Sequence, residues 1–163
     1  MDADELIRRA AAAGITIATA ESCTGGMIAA ALTDIPGSSA VVDRGFVTYS
    51  NAAKMQMLGV RADTLGAVGA VSEDVAAEMA TGAVQHAGVT LAVSVTGIAG
   101  PGGSEHKPEG RVCFGLARAG SPAATETVEF GAIGRANVRA ATRDHALHLL
   151  AQAVSKIERE TGS

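Results

Sequence analysis

The chain alternates short β-branched apolar runs with longer segments whose apolar residues recur every three or four positions, and glycine or proline marks most of the handovers. "ADELIRRAAAAG" is rich in helix formers and closes on Gly14, the residue type a helix C-terminus favours. "ITIATA" predicts a short strand, and "CTGGMIAAALTDI" predicts a helix from Cys23 that ends ahead of Pro36 and Gly37. "AVVDRGFVTYS" predicts a second strand, followed by a short helix, "AAKMQMLG", capped by Ser50 or Asn51. Ser72 predicts the N-cap of a further helix that carries Glu73 and Asp74 in its first turn and ends at Gly88. "VTLAVSVTG" has the continuous apolar character of a buried strand and runs into the glycine-rich "GIAGPGG". "RVCFGLAR" and "TETVEF" predict two more strands, and a long helix from about Arg135 closes the chain. Strands interleaved with helices predict an α/β domain, a mixed sheet covered by helices.

Composition narrows this picture. The 163 residues suit a single domain over 1–163, with neither a linker nor a repeat to divide it. Apolar residues make up 47% but aromatics only 2%, so the core must be built from Ala, Val, Leu, Ile and Met, with 20 glycines allowing close backbone approach. The net charge of −4 and the scarcity of aromatics argue against a nucleic-acid surface that tracks phosphates and stacks bases. No apolar run reaches a membrane span and the charged start "MDADELIRRA" is unlike a signal peptide, so no membrane partner is expected. Two cysteines are no disulfide framework, which points to a reducing cytoplasm.

Chemistry concentrates in "TAESCTGG", residues 19–26, where a strand hands over to a helix. Free N–H groups and the positive end of the helix dipole gather at such a place and suit an oxyanion or a phosphate. Two readings are open there: Ser22 as a nucleophile, or Ser22 or Thr24 as a plain helix cap. Cys23 is a rival nucleophile, because a helix N-terminus lowers a thiol pKa, but His86, His106, His145 and His148 offer it no compelling base. His145 and His148 share a helix face, yet no acid or cysteine completes a zinc set, so no metal and no cofactor is expected. A serine can use a neutral lysine instead, and of Lys54, Lys107 and Lys156 it is Lys54 in "NAAKMQML" that has small and apolar neighbours. Ser50 stands four residues before Lys54 and imitates a pair with it, but fits better as a helix cap.

Two further stretches stand out. "SVTGIAGPGG" is neither a Walker loop nor a dinucleotide fingerprint; it is a strand end where an α/β sheet opens its ligand crevice, or else a tight connection. In the last helix Leu147, Leu150, Val154 and Ile157 define the buried stripe, and at about 100° per residue Arg139 falls within about 20° of it. Arg143 is close on the same wheel and Arg135 lies at its edge. An inward arginine requires a partner, a phosphate or an inter-helix carboxylate.

Taken together, "TAESCTGG", "PGSS", "GFVTYSNAAKMQMLGV", "VSVTGIAGPGG", "KPEG" and "GRANVR" occur in the order that marks the CinA C-terminal domain family, which the chain resembles from end to end. The resemblance implies a three-layer α/β/α sandwich with a mixed sheet, a homodimer or higher homo-oligomer, and hydrolysis of the carboxamide of nicotinamide mononucleotide in pyridine nucleotide salvage. It places the nucleophile on Ser22 and the base apparatus on Tyr49 and Lys54, with Thr96 and Arg139 elsewhere in the pocket. Thr24 and Gly25, beside the nucleophile, and Gly97, beside Thr96, complete the expected substrate-binding set. The chain departs from the family pattern at Glu105, His106 and Glu109 and at Ile133, where "IGR" replaces "GDR". A nucleotide-binding module without turnover and an amidase for another small phosphorylated amide remain as alternatives.

Overall fold

The computed structural model describes residues 1–104 and 106–162; Glu105 lies outside them. Among the described residues five strands form one sheet in the order β2-β1-β3-β4-β5. They are β1 (Ile17–Glu21), β2 (Val42–Val47), β3 (Leu91–Gly97), β4 (Arg111–Arg118) and β5 (Ala124–Glu129). β1 runs parallel to both β2 and β3, whereas β4 and β5 add on antiparallel, which makes the sheet mixed as expected. Helices α1 (Ala3–Ala12), α2 (Met27–Thr33) and α6 (Arg135–Thr161) cover one face. The helices α3 (Asn51–Leu58), α4 (Ala62–Val68) and α5 (Glu73–Ala87) cover the other, completing three layers.

The composition has a direct structural reading. The central strands turn their large side chains to the α1/α2/α6 face, where Ile17, Leu91, Val93 and Val95 pack with Ile28, Leu32, Leu150 and Val154. Their other face carries Ala18, Ala20, Ala92 and Ser94, all fully buried. Small residues there let α5 approach so closely that the Ser94 hydroxyl donates to the Ala76 carbonyl at 2.6 Å. Bulk is thus placed on one side and close approach on the other, and large aromatics are unnecessary.

Local signals account for the helix ends. Asp2, Ser50 and Ser72 each accept a backbone N–H three residues on, from Glu5, Ala53 and Val75, and so start α1, α3 and α5. Ser50 is therefore the cap of α3 and not the partner of Lys54. Two features differ from the sequence expectation. α4 and a 3-10 turn at Ser38–Ala40 occur in stretches to which the sequence pattern assigns no element, being short and weakly patterned. α2 begins at Met27 rather than Cys23, because Gly25 and Gly26 take positive φ values of 60° and 108° and hold the intervening residues in a tight turn.

Gly82 of α5 makes the closest of these contacts: a Cβ there would lie 1.9 Å from the Leu58 carbonyl oxygen at the end of α3. Gly82→Ala is expected to push the two helices apart at a cost of about 3 kcal/mol, roughly a 10 °C fall in thermal midpoint. A melting curve matching the unsubstituted protein would show that the helices are not in fixed contact.

Candidate active site

The strand order turns at β1, since the chain goes from β1 to one neighbour and later returns to the other. In an open α/β sheet the crevice forms outside the carboxyl ends of the strands at such a point. β1 ends at Glu21 and β3 at Gly97, and a cavity of about 320 Å³ opens there. Its walls include Ser22, Tyr49, Asn51, Lys54, Thr96 and Arg135, and the loop 97–104 closes one side.

Ser22 continues the line of β1. Its N–H donates to the Val95 carbonyl at 3.1 Å, and the Thr48 N–H donates to the Glu21 carbonyl at 2.8 Å, so both neighbouring strands grip the chain at this point. Ser22 is 8% exposed, open only toward the cavity it lines. Lys54 sits in the first turn of α3, whose start Ser50 fixes, and its side chain reaches back to the end of β1. Its Nζ lies 2.9 Å from Ser22 Oγ, 2.9 Å from the Thr48 carbonyl and 3.2 Å from the Tyr49 carbonyl. At 1% exposure this is one of the largest fully buried side chains of the protein.

Tyr49 divides its functions. Its carbonyl faces Lys54, while its ring is exposed and its hydroxyl accepts a hydrogen bond from Arg135 at 2.8 Å. Arg135 also donates to the Gly100 carbonyl at 2.7 Å, spanning the cavity mouth between the tyrosine and the glycine loop. Thr96 is 1% exposed, lines the cavity, and donates to the Ala70 carbonyl at 2.9 Å, tying β3 to the segment ahead of α5. Gly97 lines the cavity too, and a Cβ there would lie 2.6 Å from the Val112 side chain. On the far side of the same loop Lys107 donates to the carbonyls of Val68 and Val71 at 2.6 and 2.5 Å, anchoring it to the C-terminus of α4.

Three of the expected substrate-binding residues stand behind the turn 22–26 and do not line this cavity. Arg139 does point inward, as its place on the helical wheel indicated. Its guanidinium, however, donates to the carbonyls of Cys23 at 3.0 Å and Thr24 at 3.2 Å, bracing that turn from the rear. A Cβ at Gly25 would lie 3.4 Å from the same guanidinium. Thr24 is fully buried and gives its hydroxyl to Glu21 Oε1 at 2.6 Å. The arginine on the cavity wall is Arg135, one turn earlier, because the cavity opens beyond the N-terminus of α6 rather than alongside it.

Sequence reasoning passed over Glu21. This fully buried carboxylate accepts the N–H groups of Ile28 at 2.9 Å and Ala29 at 3.0 Å. The first turn of α2 is therefore satisfied by Glu21, so the helix N-terminus expected to hold an oxyanion is already occupied. The available signal was an acidic residue at the end of an otherwise apolar strand. Among the described residues no three His, Cys, Asp or Glu side chains come together as a ligand set. His145 pairs instead with Glu126 and lies edge-on to Phe114 at 4.6 Å.

Residues 2–154 match the family described as the CinA C-terminal domain. A CinA-like protein of Chlorobium phaeobacteroides is 62% identical over 120 residues, 72% of this chain but 29% of the relative, so the chain spans under a third of that protein's length. The nicotinamide-nucleotide amidohydrolase PncC of Escherichia coli is 62% identical over 109 residues, covering 66% of each protein. Among solved structures, the competence/damage inducible protein CihA of Agrobacterium tumefaciens superposes with a TM-score of 0.86 at 49% identity, covering 95% of this chain and 96% of the other. A CinA superfamily protein of E. coli superposes with a TM-score of 0.88 at 38% identity, covering 92% and 87%.

Cys23, the rival nucleophile, is 5% exposed, and burial pushes its thiol pKa up to about 11. At pH 7 about one thiol in ten thousand is then ionised, against a few per cent for an ordinary cysteine. Iodoacetamide at neutral pH is expected to leave Cys23 unmodified in the folded protein and to label it in denaturant. Rapid labelling of the native protein, read by mass spectrometry, would contradict this environment.

Proposed function

The chain belongs to the CinA C-terminal domain family, and we propose that it is a nicotinamide mononucleotide amidohydrolase whose nucleophile is Ser22 and whose base is Lys54. The observation that carries the reading is the buried 2.9 Å contact between Lys54 Nζ and Ser22 Oγ, with the carbonyls of Thr48 and Tyr49 also in hydrogen-bond reach of the amine. Carbonyl oxygens only accept. Thr48 and Tyr49 therefore take N–H groups of the amine, and on this reading its neutral form, reached during turnover, turns a lone pair to the serine hydroxyl. A low-dielectric site disfavours the ammonium form, in keeping with a base. The similarity to PncC supplies the substrate class.

On this reading Lys54 takes the Ser22 proton as Oγ attacks the carboxamide carbon. Because α2 gives its N–H groups to Glu21, the oxyanion draws on the turn at Cys23 and the 97–103 loop, which line the cavity. The tetrahedral species collapses as Lys54 returns the proton to the departing nitrogen, releasing ammonia and leaving an ester on Ser22. Water, deprotonated by the same amine, then cleaves the ester to nicotinate mononucleotide. Arg135 holds the phosphate at the cavity mouth. Its partners there, the Gly100 carbonyl and the Tyr49 hydroxyl, are uncharged, so a phosphate would provide the counter-charge. Product of this kind enters pyridine nucleotide salvage, consistent with a reducing cytoplasm. No helix among those described is long and apolar enough to cross a membrane.

Ammonia release from nicotinamide mononucleotide by the purified protein is the decisive measurement. Ser22→Ala is expected to lower it at least a thousandfold while nucleotide binding persists; binding with no release even by the unsubstituted protein would make this a non-catalytic module. Lys54→Arg is expected to be nearly as damaging as Lys54→Ala, because a guanidinium cannot serve as a base. Near-normal turnover of Lys54→Arg would remove the lysine from the mechanism. Turnover should also be unchanged by exhaustive chelation; loss restored by a divalent ion would require a different mechanism.

A further inference from the structure

Among the described residues two ionisable side chains are fully buried at the ends of the parallel strands, Lys54 and Glu21. The mechanism uses Lys54. Glu21 immediately precedes Ser22, does not line the cavity there, and satisfies three donors: the Thr24 hydroxyl at 2.6 Å, the Ile28 N–H at 2.9 Å and the Ala29 N–H at 3.0 Å. We propose that Glu21 is the positioning residue of the nucleophile, its carboxylate locking the turn 22–26 so that Ser22 Oγ stays within reach of the Lys54 amine.

Gly26 occupies the N-cap of α2 with no side chain to offer, so the orphan N–H groups of that helix need an external acceptor. Glu21 reaches them from seven and eight residues upstream and closes a loop of chain with Ser22 inside it. The backbone adds the Gly25 N–H to the Ser22 carbonyl at 3.1 Å and the Met27 N–H to the Thr24 carbonyl at 3.2 Å. Arg139 closes the rear through the carbonyls of Cys23 and Thr24. Ser22 thus hangs from β1 on one side and from a carboxylate-bound helix start on the other.

The carboxylate is matched to this task in a way its amide is not. Oε1 accepts from Thr24 and Ile28 and Oε2 accepts from Ala29. In Glu21→Gln an NH₂ must replace one of these oxygens and meet a donor head-on in a fully buried place. The turn must then shift, and a displacement on the order of 1 Å at a nucleophile costs roughly a hundredfold in rate. The same carboxylate binds from behind, so substrate affinity has no reason to change.

This inference rests on Ser22 being the nucleophile, and the test separates the two. Steady-state kinetics on nicotinamide mononucleotide, the rate of Ser22 labelling by a fluorophosphonate, and thermal midpoint are measured for the full chain and for Ser22→Ala, Glu21→Gln and Thr24→Val. Glu21→Gln is expected to lower kcat and the labelling rate together by at least tenfold with KM within about threefold. Thr24→Val removes one donor without changing shape, and is expected to lower the same two rates about threefold. A purely structural role would lower the midpoint but leave kcat of the folded protein untouched. That result, or wild-type kcat and labelling in folded Glu21→Gln, overturns the inference while Ser22→Ala remains inactive. Should Glu21→Gln not fold, Thr24→Val decides: unchanged rates overturn the proposal, and a parallel fall supports it. Turnover by Ser22→Ala would instead bring down the nucleophile reading, and this inference with it.

Discussion

A lysine amine withdrawn from water at the edge of a sheet must find oxygen around it, and the site is arranged about that requirement. The chain leaves β2 at Val47 and bends before α3, which frees the carbonyls of Thr48 and Tyr49 from the sheet and turns them toward Lys54. Ser50 starts the helix at once, so that Lys54 falls in its first turn and its stem runs inward. The third oxygen is the hydroxyl of Ser22, on the adjacent strand. Breaking the bend, the cap or the strand pairing would leave the amine unsatisfied, and the segment 47–54 therefore has little freedom.

Topology supplies the other half of the constraint. Since β1 is central and parallel to both neighbours, its carboxyl end is flanked by the ends of β2 and β3. Three loops consequently meet above Ser22: the turn 22–26, the bend 48–50 and the glycine loop after Gly97. Close packing of α5 beneath, through Ala18, Ala20, Ala92 and Ser94, keeps those strand ends level, and the small residues that made the composition unusual serve this purpose.

The layers, the five strands and the long last helix were legible because their apolar periodicity extends over enough residues to separate strand from helix. α4 was not, being seven residues without a buried side chain. Ser22 and Lys54 were legible as residue types, a hydroxyl at a strand end and an amine among small neighbours, but their contact spans 32 residues and no periodicity reports it. The wheel gave the direction of Arg139 correctly and could not give its partner, since direction around a helix says nothing about height along it. One turn separates the arginine that braces a backbone from the one that faces the cavity, and only the position of the turn 22–26 decides which is which. Glu21 was hidden for a different reason. Two of its three donors are backbone N–H groups, which sequence patterning does not reveal.

Glu21 also changes the electrostatics expected of a strand-to-helix handover. An unoccupied helix N-terminus would present its positive end to any anion in the cavity. Here a buried carboxylate takes that end from inside the protein, so the region behind Ser22 attracts anions far less than the motif alone suggests. Among the described residues that line the cavity, the cationic side chain other than Lys54 is Arg135, at the mouth. A phosphorylated substrate on the proposed reading is drawn by its phosphate to that outer rim, and its uncharged carboxamide extends inward to the buried serine and amine. The separation is useful chemically. On that reading a phosphate close to Lys54 would stabilise the ammonium form and remove the base, whereas one held at the rim by Arg135 would keep its charge away from the inner pair.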